Sequence, residues 1–317
     1  MNGAPRNVIL VGDALDQLRR LPDACIDAVL TSPPYFATRD YGVPGQIGME
    51  ATVTEWVARL QAVFAEVARV LKPTGSLWLN LADSYSRHPR YGTPAKGLLA
   101  APERLLLALL ADGWLLRNRV IWSKPNPTPT SVKDRLTAAH EHVYFLVRQR
   151  SYYFRLDPIR EPHRSAPART LSRDGARPPG WSGPLGASRS NLARARLTVG
   201  HPLGKNPGDV WRIPTRPGYG GAHFATFPPA LAERPILATV PETACATCGA
   251  PTGCSCVAGT VPGLLLDPFA GTGTALWVAQ QLGRDWLGVE ISERYAALAA
   301  WRLGANQPPS TARERAA

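Results

Sequence analysis

Seven short apolar runs, at 7–12, 26–31, 76–82, 119–123, 142–148, 263–267 and 285–291, punctuate this chain, and most are separated by stretches of helix length. They are rich in Val, Ile, Leu and Trp, as strands buried on both faces are. The patterns between them predict helices at about 54–71, 97–112, 228–239, 273–283 and 292–304. Strands alternating with helices leave few solutions, and the leading one is a mostly parallel sheet with helices on both faces. Between 119–123 and 142–148 no helical pattern intervenes, which predicts an antiparallel edge hairpin with a long loop. At 317 residues and 44% hydrophobic, the chain can build one such core with an elaboration or support two modest domains.

The sequence contains no run of about 18 apolar residues, so no membrane span is expected. The first residues, MNGAPRNVILVGDAL, carry neither a basic leader nor a small-residue cleavage site, which points to a cytoplasmic protein. The net charge of +12 is unevenly placed: from Arg148 to Arg216 there are fourteen basic residues against four acids. With Tyr152, Tyr153, Phe154 and Trp181 interleaved, this stretch suits a nucleic-acid backbone. The competing reading is a solvated, disordered basic loop. Composition changes after Arg150, and 151–222 is rich in Pro, Gly, Ser and Arg without periodicity, as an irregular insertion would be. The tail at 307–317 is expected to be disordered.

Two loops carry chemistry. Leu264–Leu266 read as a buried strand, after which Asp267-Pro268-Phe269-Ala270-Gly271-Thr272-Gly273-Thr274 turns into a helix. The two glycines permit close backbone approach, and a helix N-terminus offers free N–H groups at the sheet's carboxyl edge. The third glycine of a dinucleotide loop is missing. Glu290 ends the next strand, where it can accept both hydroxyls of a ribose or simply begin a helix. The other loop, Ser32-Pro33-Pro34-Tyr35, follows the strand AVLT. Two prolines stiffen it and remove two donors, leaving a corner lined with acceptors. An amino group could donate to the Ser32 hydroxyl and the Pro33 carbonyl while the Tyr35 ring stacks on its base. The alternative is a rigid strand-ending turn with a packing tyrosine.

Four of five cysteines, Cys245, Cys248, Cys254 and Cys256, fall within twelve residues. That is enough for a closed tetrahedral zinc site of structural character, with free surface thiols as the alternative.

Taken together, the blocks at 12–35, 71–83, 120–148, 223–236, 265–279 and 287–291 resemble the β class of amino-directed DNA methyltransferases, in which the catalytic loop precedes the cofactor loop. The resemblance implies a Rossmann-like α/β fold with circularly permuted motif order. It also implies S-adenosylmethionine beside Phe269, Gly271, Thr272, Gly273 and Thr274, with Glu290 on its ribose, Asp13 near its adenine, Asp267 at its methionine end and Phe227 packed alongside. Ser32, Pro33, Pro34 and Tyr35 become the catalytic loop, acting on a base flipped out of double-stranded DNA. The division it suggests is a catalytic half at 1–150, a target-recognition insertion at 151–222 and a cofactor half at 223–306, with a Cys-rich excursion at 240–262. Members with Ser before Pro-Pro mostly methylate cytosine N4, so cytosine is favoured, with adenine N6 the alternative and an inactive DNA-binding homologue a further one. A cognate restriction endonuclease is the partner such enzymes often have. Methylation at the cytosine ring carbon needs a Pro-Cys nucleophile, and no cysteine here follows a proline.

Overall fold

A computed structural model describes residues 3–163, 201–215, 226–251, 253–256 and 258–304. Most of the basic stretch, including Trp181, lies outside the described residues, as does the tail. The chain forms two compact units, Met1–Arg155 with Asp209–Ala317, and Leu156–Gly208.

The larger unit is built on β1 (Val8–Val11), β2 (Ile26–Thr31), β3 (Leu71–Leu81), β4 (Leu115–Ser123), β5 (His140–Val147), β6 (Val210–Arg212), β9 (Leu264–Asp267) and β10 (Asp285–Glu290). Their order across the sheet is β1-β10-β9-β2-β3-β5-β4-β6. All pairings are parallel except those of β5, which runs antiparallel to both β3 and β4. The expected hairpin is therefore β4–β5, and the three-residue β6 joins its outer side. A two-stranded ribbon, β7 (Ala244–Cys245) with β8 (Thr260–Val261), stands apart.

The period-two pattern of the strands sorts side chains onto two faces. Val29, Leu77, Leu79, Leu264, Leu266, Leu287 and Val289 join one cluster with α1 (Ala14–Arg19), α2 (Val53–Val70) and α3 (Ala101–Ala111). Ala28, Leu30, Trp78, Leu265 and Trp286 join the other with α4 (Pro229–Thr239) and α5 (Thr274–Gln281). α6 (Glu293–Arg302) follows β10 and lies beside the turn that starts α5. Every residue of β2 is buried, because helices cover both of its faces.

Boundaries shift from the sequence reading where tertiary contacts act. α3 begins at Ala101 because the Asp83 carboxylate accepts the N–H groups of Ala100 and Ala101 at 2.9 and 3.1 Å, a cap supplied from seventeen residues away. α2 passes into β3 without a loop, since Pro73 bars further helix and Leu71 is already extended. α1, only six residues long, is too short for periodicity to announce; Asp13 caps it by accepting from the Asp16 N–H.

In the smaller unit, Glu161 and Lys205 exchange backbone hydrogen bonds of 3.0 and 2.8 Å. Lys205 Nζ lies 3.2 Å from the Glu161 carboxylate. Gly204 sits at φ +109°, where a Cβ would come within 2.2 Å of the Glu161 carbonyl, so only glycine fits.

Candidate active site

β2 and β9 are neighbours, yet the chain leaves β2 through α2 toward β3 and leaves β9 through α5 toward β10, in opposite directions. Such a switch opens a crevice beyond the carboxyl ends of the strands. Both loops of interest issue there. Their strands are stitched together by the Thr31 hydroxyl, which donates to Asp267 Oδ1 at 2.7 Å in a buried position.

The crevice is a cleft with about 890 Å³ of unfilled space, open mouth included. Asp13, Ser32 and Pro34 line it from one side, and Asp267, Phe269, Gly271, Thr272 and Thr274 from the glycine turn. Glu290 and Phe227 complete the predicted set that reaches it. Pro33, Tyr35 and Gly273 do not line it. Gly273, at φ +71°, faces α6, where a Cβ would meet that of Ala299 at 3.1 Å. Its absent side chain thus serves helix packing. Tyr41, Gln46, Ile47, Ser292 and Tyr295 also line the cleft. They lie in loop or helix-start positions with no distinguishing pattern, and the sequence reading missed them.

The cleft is acidic. Three carboxylates line it, and no Lys or Arg does among the described residues. Glu290 accepts the Gly271 N–H at 2.8 Å through one oxygen and the Ser292 N–H at 2.9 Å through the other. With the Ile291 N–H as a further donor, the carboxylate still has acceptor capacity left for a ligand. Burial raises the Glu290 pKa, opposed by these backbone donors. Asp267 is pushed up to about 7, chiefly by desolvation, with the neighbouring charge of Glu290 adding and the Thr31 hydroxyl and Phe269 N–H opposing. The Thr272 hydroxyl on the same turn is buried and finds no partner among the described residues.

The proline loop is held from two sides. Trp56 of α2 donates its indole N–H to the Pro34 carbonyl at 2.9 Å. The expectation that the turn leaves its carbonyls exposed is thereby corrected for Pro34. Tyr35 turns away from the cofactor-sized cleft toward β3 and β5, where its hydroxyl donates to Glu141 Oε2 at 2.7 Å. The Ser32 hydroxyl donates to the Tyr35 oxygen at 3.1 Å. Asn80 donates to the same Glu141 oxygen at 3.0 Å and to the His142 carbonyl at 3.2 Å, and Lys124 pairs with Glu141 Oε1. Burial and then the Glu141 charge push the Tyr35 pKa far up, so its hydroxyl stays protonated. The sequence reading missed Asn80 and Glu141; the signal for Asn80 was a lone amide in the apolar run LWLNL, while Glu141, between two histidines at the start of β5, carried none.

Away from the cleft, the sulfurs of Cys245, Cys248, Cys254 and Cys256 all lie within 4.8 Å of one another. Backbone N–H groups of Cys248 and Thr247 are directed at the Cys245 thiol and pull its pKa down to about 6.

An acid-lined cleft beyond the carboxyl ends of a mostly parallel sheet is where α/β folds place a ligand site, and its carboxylates suit a cation and disfavour a pyrophosphate. The chain belongs to the DNA methylase family, whose model matches residues 26–300. It is 34% identical to the type II methyltransferase M.Cfr9I of Citrobacter freundii over 96% of this chain and 88% of the relative. It is 35% identical to the type II methyltransferase M.SmaI of Serratia marcescens over 93% and 90%. Among solved structures, the PvuII DNA methyltransferase (cytosine-N4-specific) superimposes with a TM-score of 0.63 at 20% identity, covering 96% of this chain and 89% of that one. A Thermus thermophilus protein described as a putative DNA modification methylase, complexed with S-adenosyl-L-methionine, superimposes with a TM-score of 0.56 at 26% identity over 96% and 95%. The protein is thus a DNA methyltransferase of a family that uses S-adenosylmethionine. No helix among the described residues is long and apolar enough to cross a membrane.

Proposed function

We propose that this enzyme methylates the exocyclic N4 of cytosine in duplex DNA at a specific sequence. The observation that carries this reading is the position of Ser32, which lines the acidic cleft and donates to the Tyr35 hydroxyl, whose side chain leaves the cleft toward β3 and β5. It thus stands at the junction between a site for a cationic cofactor and a site for a planar base.

The residues present fit S-adenosylmethionine. Three carboxylates, with no Lys or Arg beside them among the described residues, suit a positively charged molecule with a diol, and Phe227, Phe269 and Tyr41 offer apolar faces to an adenine. Glu290 would hold the ribose hydroxyls, Asp13 the adenine amine and Asp267 the methionine end. When bound, the cofactor supplies an electrophilic methyl group on a sulfonium.

The base must leave the duplex, because its amine is otherwise locked in pairing. Tyr35, fixed by Glu141, presents its ring for stacking. The Ser32 hydroxyl and the Pro33 carbonyl accept the two amine hydrogens, turning the nitrogen lone pair out of conjugation. Alignment and water exclusion then account for most of the rate gain, with no covalent enzyme intermediate. The basic residues of 151–222 bind the phosphate backbone and read the target. The enzyme acts on cellular DNA in the cytoplasm, where it shields sites from a cognate restriction endonuclease.

The test is to modify plasmid DNA with labelled cofactor, digest it and identify the nucleoside by mass. N4-methylcytosine supports the reading. N6-methyladenine transfers the same machinery to the other amine, and 5-methylcytosine contradicts it.

A further inference from the structure

We propose that Cys245, Cys248, Cys254 and Cys256 bind one zinc ion, and that this knuckle clamps the start of the strand that carries Asp267. Neither statement depends on the target base. The four sulfurs lie within 4.8 Å of one another although two of the cysteines come from one end of the excursion and two from the other. A tetrahedral ion with Zn–S bonds of about 2.3 Å holds its sulfurs roughly 3.8 Å apart, so no separation exceeds what zinc requires by more than about 1 Å. A cubane iron–sulfur cluster would hold them farther apart.

The backbone is arranged for the same purpose. Cys245 and Gly249 close a tight turn, the Gly249 N–H donating to the Cys245 carbonyl at 2.9 Å, with Gly249 at φ +70°. The Cys245 N–H donates to the Ala250 carbonyl at 2.9 Å, and Ala246 ties the turn to Gly259. The ligands lie at the end of β7 and in its connection to β8, two strands of only two residues each, a ribbon with little apolar surface to hold it shut.

The connection to the site runs through Lys72. Its ammonium donates to the Gly249 carbonyl at 3.0 Å and pairs with Asp27 at 2.6 Å. The second Asp27 oxygen accepts the Leu264 N–H at 2.8 Å, at the first residue of β9. Three residues later that strand ends at Asp267. The knuckle therefore holds Lys72, which holds Asp27, which fixes where β9 begins.

The full-length protein, purified without chelator, is assayed for metal by mass spectrometry, reloaded with cobalt, and followed by hydrogen exchange at the Leu264 amide. One equivalent of zinc, tetrahedral thiolate cobalt bands, and exchange at Leu264 at least tenfold faster after metal removal are expected. The double variant Cys254→Ser, Cys256→Ser should bind less than a tenth of the metal. If that variant fails to fold, stepwise release from the wild-type chain by a mercurial reagent gives the same reading. Absence of bound metal and of cobalt bands overturns the site, as does metal that survives the double substitution. Unchanged Leu264 exchange in the metal-free protein overturns the clamp.

Discussion

The Tyr35 hydroxyl donates to Glu141 Oε2 at 2.7 Å, while Lys124 pairs with the other oxygen of the same carboxylate. A loop that seemed self-contained in sequence is thus oriented from β5, more than a hundred residues away. On the proposed function Glu141 is a positioning residue, holding the ring rather than the substrate. Replacing Glu141 with Gln should lower turnover by about tenfold to a hundredfold, with little change in S-adenosylmethionine affinity. It also leaves the Lys124 charge half-buried and without its carboxylate, so melting should shift down by the equivalent of about 1–3 kcal/mol. Single-turnover methylation and calorimetry on the same variant separate the two effects, and full turnover would refute the positioning role.

Ser32→Ala removes one acceptor for the amine while leaving the proline turn intact. The expected loss is on the order of a hundredfold in kcat, with cofactor affinity nearly unchanged. Steady-state kinetics with oligonucleotide duplexes would reveal it, and a loss confined to cofactor KM would mean that Ser32 serves the cleft instead.

Asp267 yields a pH prediction. Its folded pKa lies near 7 against an ordinary 3.8, so between those values the native state keeps a proton that the unfolded chain releases. Its effect on stability therefore becomes less favourable as pH rises through that window and levels off above about 7. Asp267→Asn should gain on the wild type over the same window, by at most about 4 kcal/mol. Cofactor binding should respond in the opposite sense: wild-type affinity for the cation rises as Asp267 ionises, and the variant's stays weak and flat. Thermal melts and titration calorimetry across the window check both, and parallel pH curves for the two proteins would exclude the assignment.

Neutralising arginines between 164 and 196 should weaken DNA binding and flatten its dependence on salt, roughly one unit of slope per lost phosphate contact. S-adenosylmethionine affinity should not move. Fluorescence anisotropy at several ionic strengths measures this, and identical slopes would argue that the segment does not meet the backbone.

Gly273→Ala tests packing rather than chemistry. The added methyl meets Ala299 in a left-handed backbone position, so a loss of about 1–3 kcal/mol is expected from strain and crowding. An unchanged melting temperature would show that α6 yields freely.

Much of the architecture was legible because its determinants are local. Runs such as IDAVLT and LLLD must be buried on both faces wherever they pair, and the β-rich runs with helical patterns between them leave little but a parallel sheet. The Ser-Pro-Pro-Tyr turn and the glycine turn after Asp267 carry their stiffness and openness in their own residues. What sequence could not reveal depends on partners far along the chain. Asp83 decides where α3 starts, Trp56 takes the Pro34 carbonyl, and Lys72 and Asp27 tie the cysteine turn to β9. The protonation of Asp267 belongs to the same class, because desolvation is a property of the assembled cleft. Sequence by itself determined the seven longer strands, the five longer helices and the two turns that follow β2 and β9, since propensity and periodicity act over a few residues. Only the tertiary structure decided which groups face one another and how strongly they interact, since distance and burial arise when the sheet closes.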